Sequence, residues 1–219
     1  MTGVSEARPL DLVAVLDALR RKRRVFSSEA DFQLALGWEI QIAHPEARLR
    51  MEYRPAYLDR RGYLDVWAAG PGWTAAIELK YFTRALDLVV DGERFELLNQ
   101  GAQDINRYDF VRDLERVESV TRAQPGVRGY ALALTNDSSY WRPPTYPRST
   151  IDAAFRMHEG STLSGQLEWA SSAGAGTTRG RDKAHLLRGT YRLHWADYSQ
   201  VAPGPAGAFR YLLVEASAA

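Results

Sequence analysis

Apolar residues recur at the spacing of an α-helix in three segments of the chain. They predict helices over residues 9–24, 27–42 and 97–120, the last ending at Gln124-Pro125-Gly126. The inward positions of the first and third helices are Leu12, Val13, Leu16 and Leu19, and Leu98, Ile105, Tyr108, Val111, Leu114 and Val117. The apolar stripe of the second helix is broad enough to predict a mostly buried helix. That stripe consists of Phe32, Leu36 and Ile40, widened by Leu34, Trp38 and Ile42.

Alternation of apolar and polar residues, which is typical of β-strands, fills much of the remaining chain. The predicted strands lie at about 49–57, twice within 62–84, and at 128–136, 163–170, 187–195 and 209–215. Residues 85–95, with an Asp91-Gly92 turn, and the Pro-rich stretch 138–147 are assigned no element. The order predicts one α/β domain over residues 1–219, with a β-rich extension at its C-terminal end. Its parts are an N-terminal helix at 9–24, a core at about 27–136 and the extension at about 150–216.

The hairpin within residues 62–84 carries three charged residues in an otherwise apolar pattern. It turns at Gly70-Pro71-Gly72, and side chains two apart on a strand share a face, so Glu78 and Lys80 point the same way. The register that pairs Ala69 with Thr74 sets Asp65 opposite Glu78 and leaves the other face to Leu64, Val66, Ile77 and Leu79. Two carboxylates and one ammonium on one patch of sheet suit a divalent-metal site.

Composition narrows the classes of protein that fit. The chain has 219 residues, no cysteine and a net charge of +1. Disulfides and thiolate metal sites are excluded, and we expect a cytoplasmic location. No apolar run is long enough for a membrane span, and the N-terminus shows no signal pattern. The four histidines are scattered without an i, i+4 pair, which disfavours a zinc hydrolase.

Two features of the first helices admit a functional interpretation. Glu29 falls on the inward stripe of the second helix, where a buried carboxylate needs a metal, a cation or water. The basic run 20–24 is consistent either with a solvated helix end that favours the C-terminal dipole or with a phosphate-contacting patch. The same choice between nucleic-acid contact and ordinary surface packing arises for the basic loop 171–181 and for the aromatic residues Tyr140, Trp141 and Tyr146.

The hairpin motif resembles that of the PD-(D/E)XK nuclease superfamily, which has the restriction-endonuclease-like fold. The similarity rests on Asp65, twelve intervening residues and Glu78-Leu79-Lys80, preceded by a helix that carries Glu29. It covers roughly residues 27–136, where the element order matches an αβββαβ core with a mixed sheet flanked by helices. The chain departs from the family pattern at Leu64, where a proline often precedes the aspartate.

The resemblance implies roles for the motif residues. Asp65 and Glu78 would bind Mg²⁺ or Mn²⁺, with the Leu79 carbonyl as a third ligand. Lys80 would orient or help deprotonate the attacking water, and Glu29 would bind the metal through water. A glutamine on the following helix would complete the site, and Gln103 is chosen over Gln100.

The expected function is therefore metal-dependent hydrolysis of phosphodiester bonds, with DNA as the expected partner and a homodimer as one arrangement that would give site specificity. The first alternative is a nucleic-acid-binding or regulatory protein that keeps the fold without turnover. The second is a small-molecule-binding β-rich domain in which the carboxylates are structural, with Glu78 and Lys80 as an exposed ion pair and Asp65 as their cross-strand partner.

Overall fold

The computed structural model describes residues 9–55, 62–144 and 150–217. Its α-helices are α1 (Leu12–Lys22), α2 (Glu29–Ala43), α3 (Gln103–Ala123) and the short α4 (Ala175–Thr178). Its strands are β1 (Arg48–Tyr53), β2 (Leu64–Gly70), β3 (Trp73–Phe82), β4 (Leu86–Val90), β5 (Glu93–Leu97), β6 (Val127–Thr135), β7 (Thr162–Leu167), β8 (His185–Arg192), β9 (Trp195–Gln200) and β10 (Ala208–Ala216).

A mixed six-stranded sheet runs in the order β1-β2-β3-β6-β10-β9 and confirms the predicted α/β class. β3 and β6 are parallel because α3 crosses between them, and the other neighbours are antiparallel. One face of the sheet packs on α1 and α2, and the other packs on α3 and the β7–β8 hairpin. The predicted C-terminal extension therefore divides: β9 and β10 continue the central sheet, and β7 and β8 pair separately.

The central hairpin forms as predicted. Ala69 pairs with Thr74, and the ladder between β2 and β3 extends to Val66 and Ile77. Leu64 departs from the predicted face: it packs in the α3 cluster, whereas Val66 packs in the α2 cluster. The alternation breaks because β2 beyond Val66 pairs with β1 and no longer with β3.

Several predicted boundaries were wrong. α1 begins at Leu12, where Asp11 caps it by accepting from the Ala14 amide, and not at Pro9; Val15 is buried in place of Val13. The predicted strand 49–57 is observed as Arg48–Tyr53, and residues 56–61 lie outside the described residues.

Residues 86–97 form the β4–β5 hairpin, where no element was predicted. Its turn is Asp91-Gly92, and both residues have positive φ, 52° and 85°. That geometry is the two-residue hairpin turn that Asp-Gly favours. α3 consequently begins at Gln103 and not at Leu97, and Leu98 is exposed before it.

The prediction that α2 is mostly buried was also wrong. Phe32, Leu36 and Ile40 are fully buried, but Leu34, Trp38 and Ile42 are 63%, 68% and 51% exposed. The helix packs one side on the sheet, and no described element covers the other side. In the part of the chain described, no helix is both long and apolar enough to cross a membrane.

Candidate functional site

The three charged residues of the hairpin meet where β2 and β3 separate. The ladder stops at Val66 and Ile77, one position before Asp65 and Glu78. There the Leu79 amide donates to Asp65 Oδ2 at 2.7 Å, so a side chain takes the place of the next ladder bond. Glu78 follows Ile77 on β3 and lies beside Asp65, close enough for the two carboxyl groups to interact.

Glu29 reaches the same place from the N-terminus of α2. Ser28 caps the helix by accepting from the Asp31 amide, which fixes the first turn above the hairpin. Glu29 Oε2 accepts from the Tyr81 amide at 2.8 Å, and its other oxygen lies 3.9 Å from Lys80 Nζ. The structure therefore brings Glu29, Asp65, Glu78 and Lys80 together.

Helix α3 adds two charged residues that sequence reasoning missed. Lys80 Nζ lies 2.8 Å from Asp113 Oδ2, and Arg116 donates to Glu78 Oε1 at 2.6 Å. Asp113 is buried in the helix face that also carries Phe110 and Val117. A carboxylate within an apolar stripe was the signal that singled out Glu29, and it could have singled out Asp113.

Negative charge exceeds positive charge in this cluster. Its four carboxylates are Glu29, Asp65, Glu78 and Asp113, and they face Lys80, Arg116 and, at the rim, Arg112. Burial raises the pKa of Glu29 and of Asp65, in both cases against the opposing charge of Lys80. Burial, followed by the charges of Asp113 and Asp65, raises the pKa of Glu78 well above its usual value even though Arg116 opposes the shift.

Lys80 is held in its charged form. Burial by itself would lower the pKa of Lys80, but the carboxylates of Asp113, Glu29 and Asp65 raise it above the usual value. Its ammonium also donates to the Leu79 carbonyl at 3.0 Å. Lys80 is therefore a fixed positive charge beside the carboxylates of Asp113, Glu29 and Asp65.

Gln33, one turn after Glu29, is a second residue that the sequence did not single out. Its Nε2 donates to the Asp65 carbonyl at 2.6 Å and to Glu52 Oε1 at 3.0 Å. Glu52 has a φ of 48°, a left-handed conformation that non-glycine residues rarely adopt. α2 thus binds both separated strands, β3 through Glu29 and β2 through Gln33.

Gln103 does not join this cluster. It opens α3 and donates to Asp137 Oδ2 at 3.1 Å, beside a polar cavity of about 350 Å³ that Arg84 and Asn99 also line. Asp113 comes ten residues later in the helix, which corresponds to roughly 15 Å along its axis. The helix residues that contact the motif are Asp113 and Arg116.

The other candidate surfaces are occupied by contacts within the chain. Lys22 pairs with Glu39 and Arg23 with Asp31, so the basic run serves largely to join α1 to α2. Tyr140 and Trp141 are buried, as expected of aromatics that pack a loop, and Tyr146 lies outside the described residues. The loop 171–181 contains α4, and its Arg181 pairs with Asp109.

The donor set suits a small divalent cation. Among the described residues, no three His, Cys, Asp or Glu side chains converge into a cage for a metal. Mg²⁺, however, is ordinarily bound through one or two carboxylates together with water or substrate oxygens. Asp65 and Glu78 lie beside each other at a position where a cation would relieve their repulsion, so the residues fit such an ion.

Comparisons of the chain with protein-family models, with curated proteins and with solved structures found no match.

Proposed function

We propose that the chain is a metal-dependent nuclease that hydrolyses phosphodiester bonds, with DNA as the expected substrate. The observation that carries the proposal is the position of Asp65 beside the buried Glu78 and next to the ammonium of Lys80. The order α2-β1-β2-β3-α3-β6, interrupted by the β4–β5 hairpin, supports it because it agrees with the αβββαβ core that the motif implies.

Asp65, Glu78 and the Leu79 carbonyl would hold Mg²⁺ or Mn²⁺, which would neutralise the phosphate and lower the pKa of a bound water. Glu29 stands at the rim, where its exposed carboxylate can order water. Lys80 keeps its proton because its pKa is raised, so its role in the proposal is to stabilise charge on the phosphate and not to act as a base.

One observation favours a second candidate, a nucleic-acid-binding protein that does not cleave. Arg116 donates to a Glu78 oxygen, Lys80 donates to the Leu79 carbonyl, and the Leu79 amide donates to an Asp65 oxygen. All three expected metal ligands therefore already have partners. A metal would have to displace these contacts. In this second function the ion pairs stay closed, and the charged cluster stabilises the fold.

A cleavage assay separates the two candidates. Plasmid, linear and single-stranded DNA and RNA are incubated with the protein and Mg²⁺ or Mn²⁺. We expect cleavage that falls by about a thousandfold in Asp65→Asn and Lys80→Ala, which is of the order seen when a residue that stabilises the transition state is lost. Asp87→Asn is the matched control, because Asp87 is exposed and pairs only with arginine on the β4–β5 hairpin.

Cleavage by the control and not by the two site variants supports the nuclease. Binding of nucleic acid without cleavage, unchanged in Asp65→Asn, supports the second candidate. Absence of both cleavage and binding in the wild-type chain contradicts both.

A further inference from the structure

The guanidinium of Arg116, on α3, is paired with Glu78, one of the proposed metal ligands. Its Nη1 lies 2.6 Å from Glu78 Oε1, and the two side chains are 22% and 2% exposed. A charge-assisted hydrogen bond that is shielded from water in this way is stronger than one at the surface. A divalent cation held by Asp65 and Glu78 would meet both this occupied oxygen and the positive charge of Arg116. Arg116 therefore opposes the binding of a metal at the hairpin.

A second acceptor for Arg116 lies close by. The same nitrogen is 3.4 Å from Asp113 Oδ1, one turn earlier on α3, and 3.2 Å from the Tyr63 carbonyl. Among the described residues, no donor is hydrogen-bonded to that Oδ1, although Asp113 is only 2% exposed. Because a buried acceptor without a donor is costly, Asp113 would be stabilised if Arg116 turned to it. Arg116 can therefore leave Glu78 and keep a carboxylate partner.

Glu78 needs another cation whenever Arg116 leaves it. Glu78 lies beside the like charges of Asp113 and Asp65, which repel it in a buried site. Lys80 is held elsewhere, 2.8 Å from Asp113 Oδ2 and 3.0 Å from the Leu79 carbonyl. A divalent cation would supply the missing positive charge, so Arg116 and the metal are alternative partners of Glu78.

We propose that Arg116 competes with the metal for Glu78: it pairs with Glu78 while no metal is bound and turns to Asp113 when a divalent cation binds. The inference rests on the metal site of the proposed function and does not require cleavage. It implies that the chain binds its metal less tightly than the carboxylates alone would allow. The site would then fill at a higher concentration of free divalent cation than in a chain without Arg116.

Binding of Mn²⁺, measured by isothermal titration calorimetry without nucleic acid, tests the competition. We expect the dissociation constant for Mn²⁺ to be at least about tenfold lower in Arg116→Gln than in Arg112→Gln, the factor that corresponds to a charge-assisted hydrogen bond. Arg112→Gln is the matched control, because it removes the same charge from the same helix but its ion pairs are with Asp109 and Asp113. Adding Asp65→Asn to Arg116→Gln should abolish the gain, which would assign it to the hairpin.

Urea denaturation in the presence of a chelator shows whether each variant is folded. If Arg116→Gln does not fold, Arg116→Lys takes its place. The shorter lysine reaches Glu78 less well, so the dissociation constant for Mn²⁺ should fall in the same direction by a smaller factor.

The outcomes separate this inference from the proposed function. A dissociation constant in the Arg116 variant that equals or exceeds that of Arg112→Gln overturns the competition, even if the wild-type chain cleaves nucleic acid. Absence of Mn²⁺ binding in every variant also overturns it. Tighter binding in the Arg116 variant supports the competition, and if no variant cleaves, the nuclease proposal alone is contradicted.

Discussion

Glu78, on β3, and Glu118, on α3, are both buried carboxylates, yet their surroundings differ. Glu118 is 1% exposed and accepts from the Arg188 and Gly189 amides and from the Tyr191 hydroxyl. Glu78 is 2% exposed and lies against two further carboxylates, with Arg116 as its cation. Neutral donors satisfy the carboxylate of Glu118, whereas Glu78 lies beside the like charges of Asp113 and Asp65. Burial alone therefore does not identify a functional carboxylate, and crowding of like charges is the better guide.

Replacing Glu118 gives the largest expected change in stability. Glu118→Ala leaves two backbone amides and a tyrosine hydroxyl without an acceptor, and we expect the free energy of unfolding to fall by roughly 3 kcal/mol. Urea denaturation measures it. A loss no greater than that of an exposed control, Glu96→Ala, would show that the β8 contacts are dispensable.

Removing the charge of Glu78 should not lower the free energy of unfolding, in contrast to the loss of Glu118. Glu78→Gln keeps the shape of the side chain and relieves repulsion from Asp65 and Asp113, so we expect no loss of stability, or an increase of about 1 kcal/mol, in the absence of metal. Urea denaturation with a chelator present measures it. A loss as large as that of Glu118→Ala would mean that the Arg116 contact outweighs the repulsion.

The same repulsion predicts a pH dependence. The pKa of Glu78 is raised above its usual value of 4.5, so the folded chain holds a proton that the unfolded chain loses first. The free energy of unfolding should therefore fall as pH rises from 4.5 through the raised pKa of the folded state. The difference between wild type and Glu78→Gln, measured by urea denaturation at several pH values, isolates this contribution. A difference that is constant with pH would contradict it.

Loss of the Gln33 contact has the smallest expected effect. Gln33→Ala removes the donor to the Asp65 carbonyl, and we expect a loss of about 1 kcal/mol in stability together with a higher Mg²⁺ concentration for half-maximal stabilisation. Thermal unfolding in a Mg²⁺ titration measures both. Gln41→Ala is the matched control, since Gln41 lies on the same helix and donates only to the His44 and Pro45 carbonyls.

The predicted placement of residues agrees with the structure where a residue's position is set by its own element and the adjoining turn. The hairpin register follows from the Gly70-Pro71-Gly72 turn, and it fixes the ladder up to the position of Asp65 and Glu78. Helix α2 carries Glu29 to the same place, where it lies 3.9 Å from Lys80. The prediction failed for Gln103 because the β4–β5 hairpin moves the start of α3 by six residues. Gln103 therefore lies in the first turn of α3, about 15 Å along the helix axis from Asp113.

The α/β class, the central hairpin and the direction of Glu29 towards that hairpin follow from local sequence patterns, because the periodicity of a helix or strand fixes which of its residues share a face. Long-range packing brings Asp113, Arg116 and Gln33 to the hairpin and leaves Leu34, Trp38 and Ile42 uncovered. Those outcomes depend on which elements pack together. α3 reaches the hairpin by crossing between the parallel strands β3 and β6, and α2 packs on the opposite face of the sheet. Local spacing records neither of these long-range arrangements.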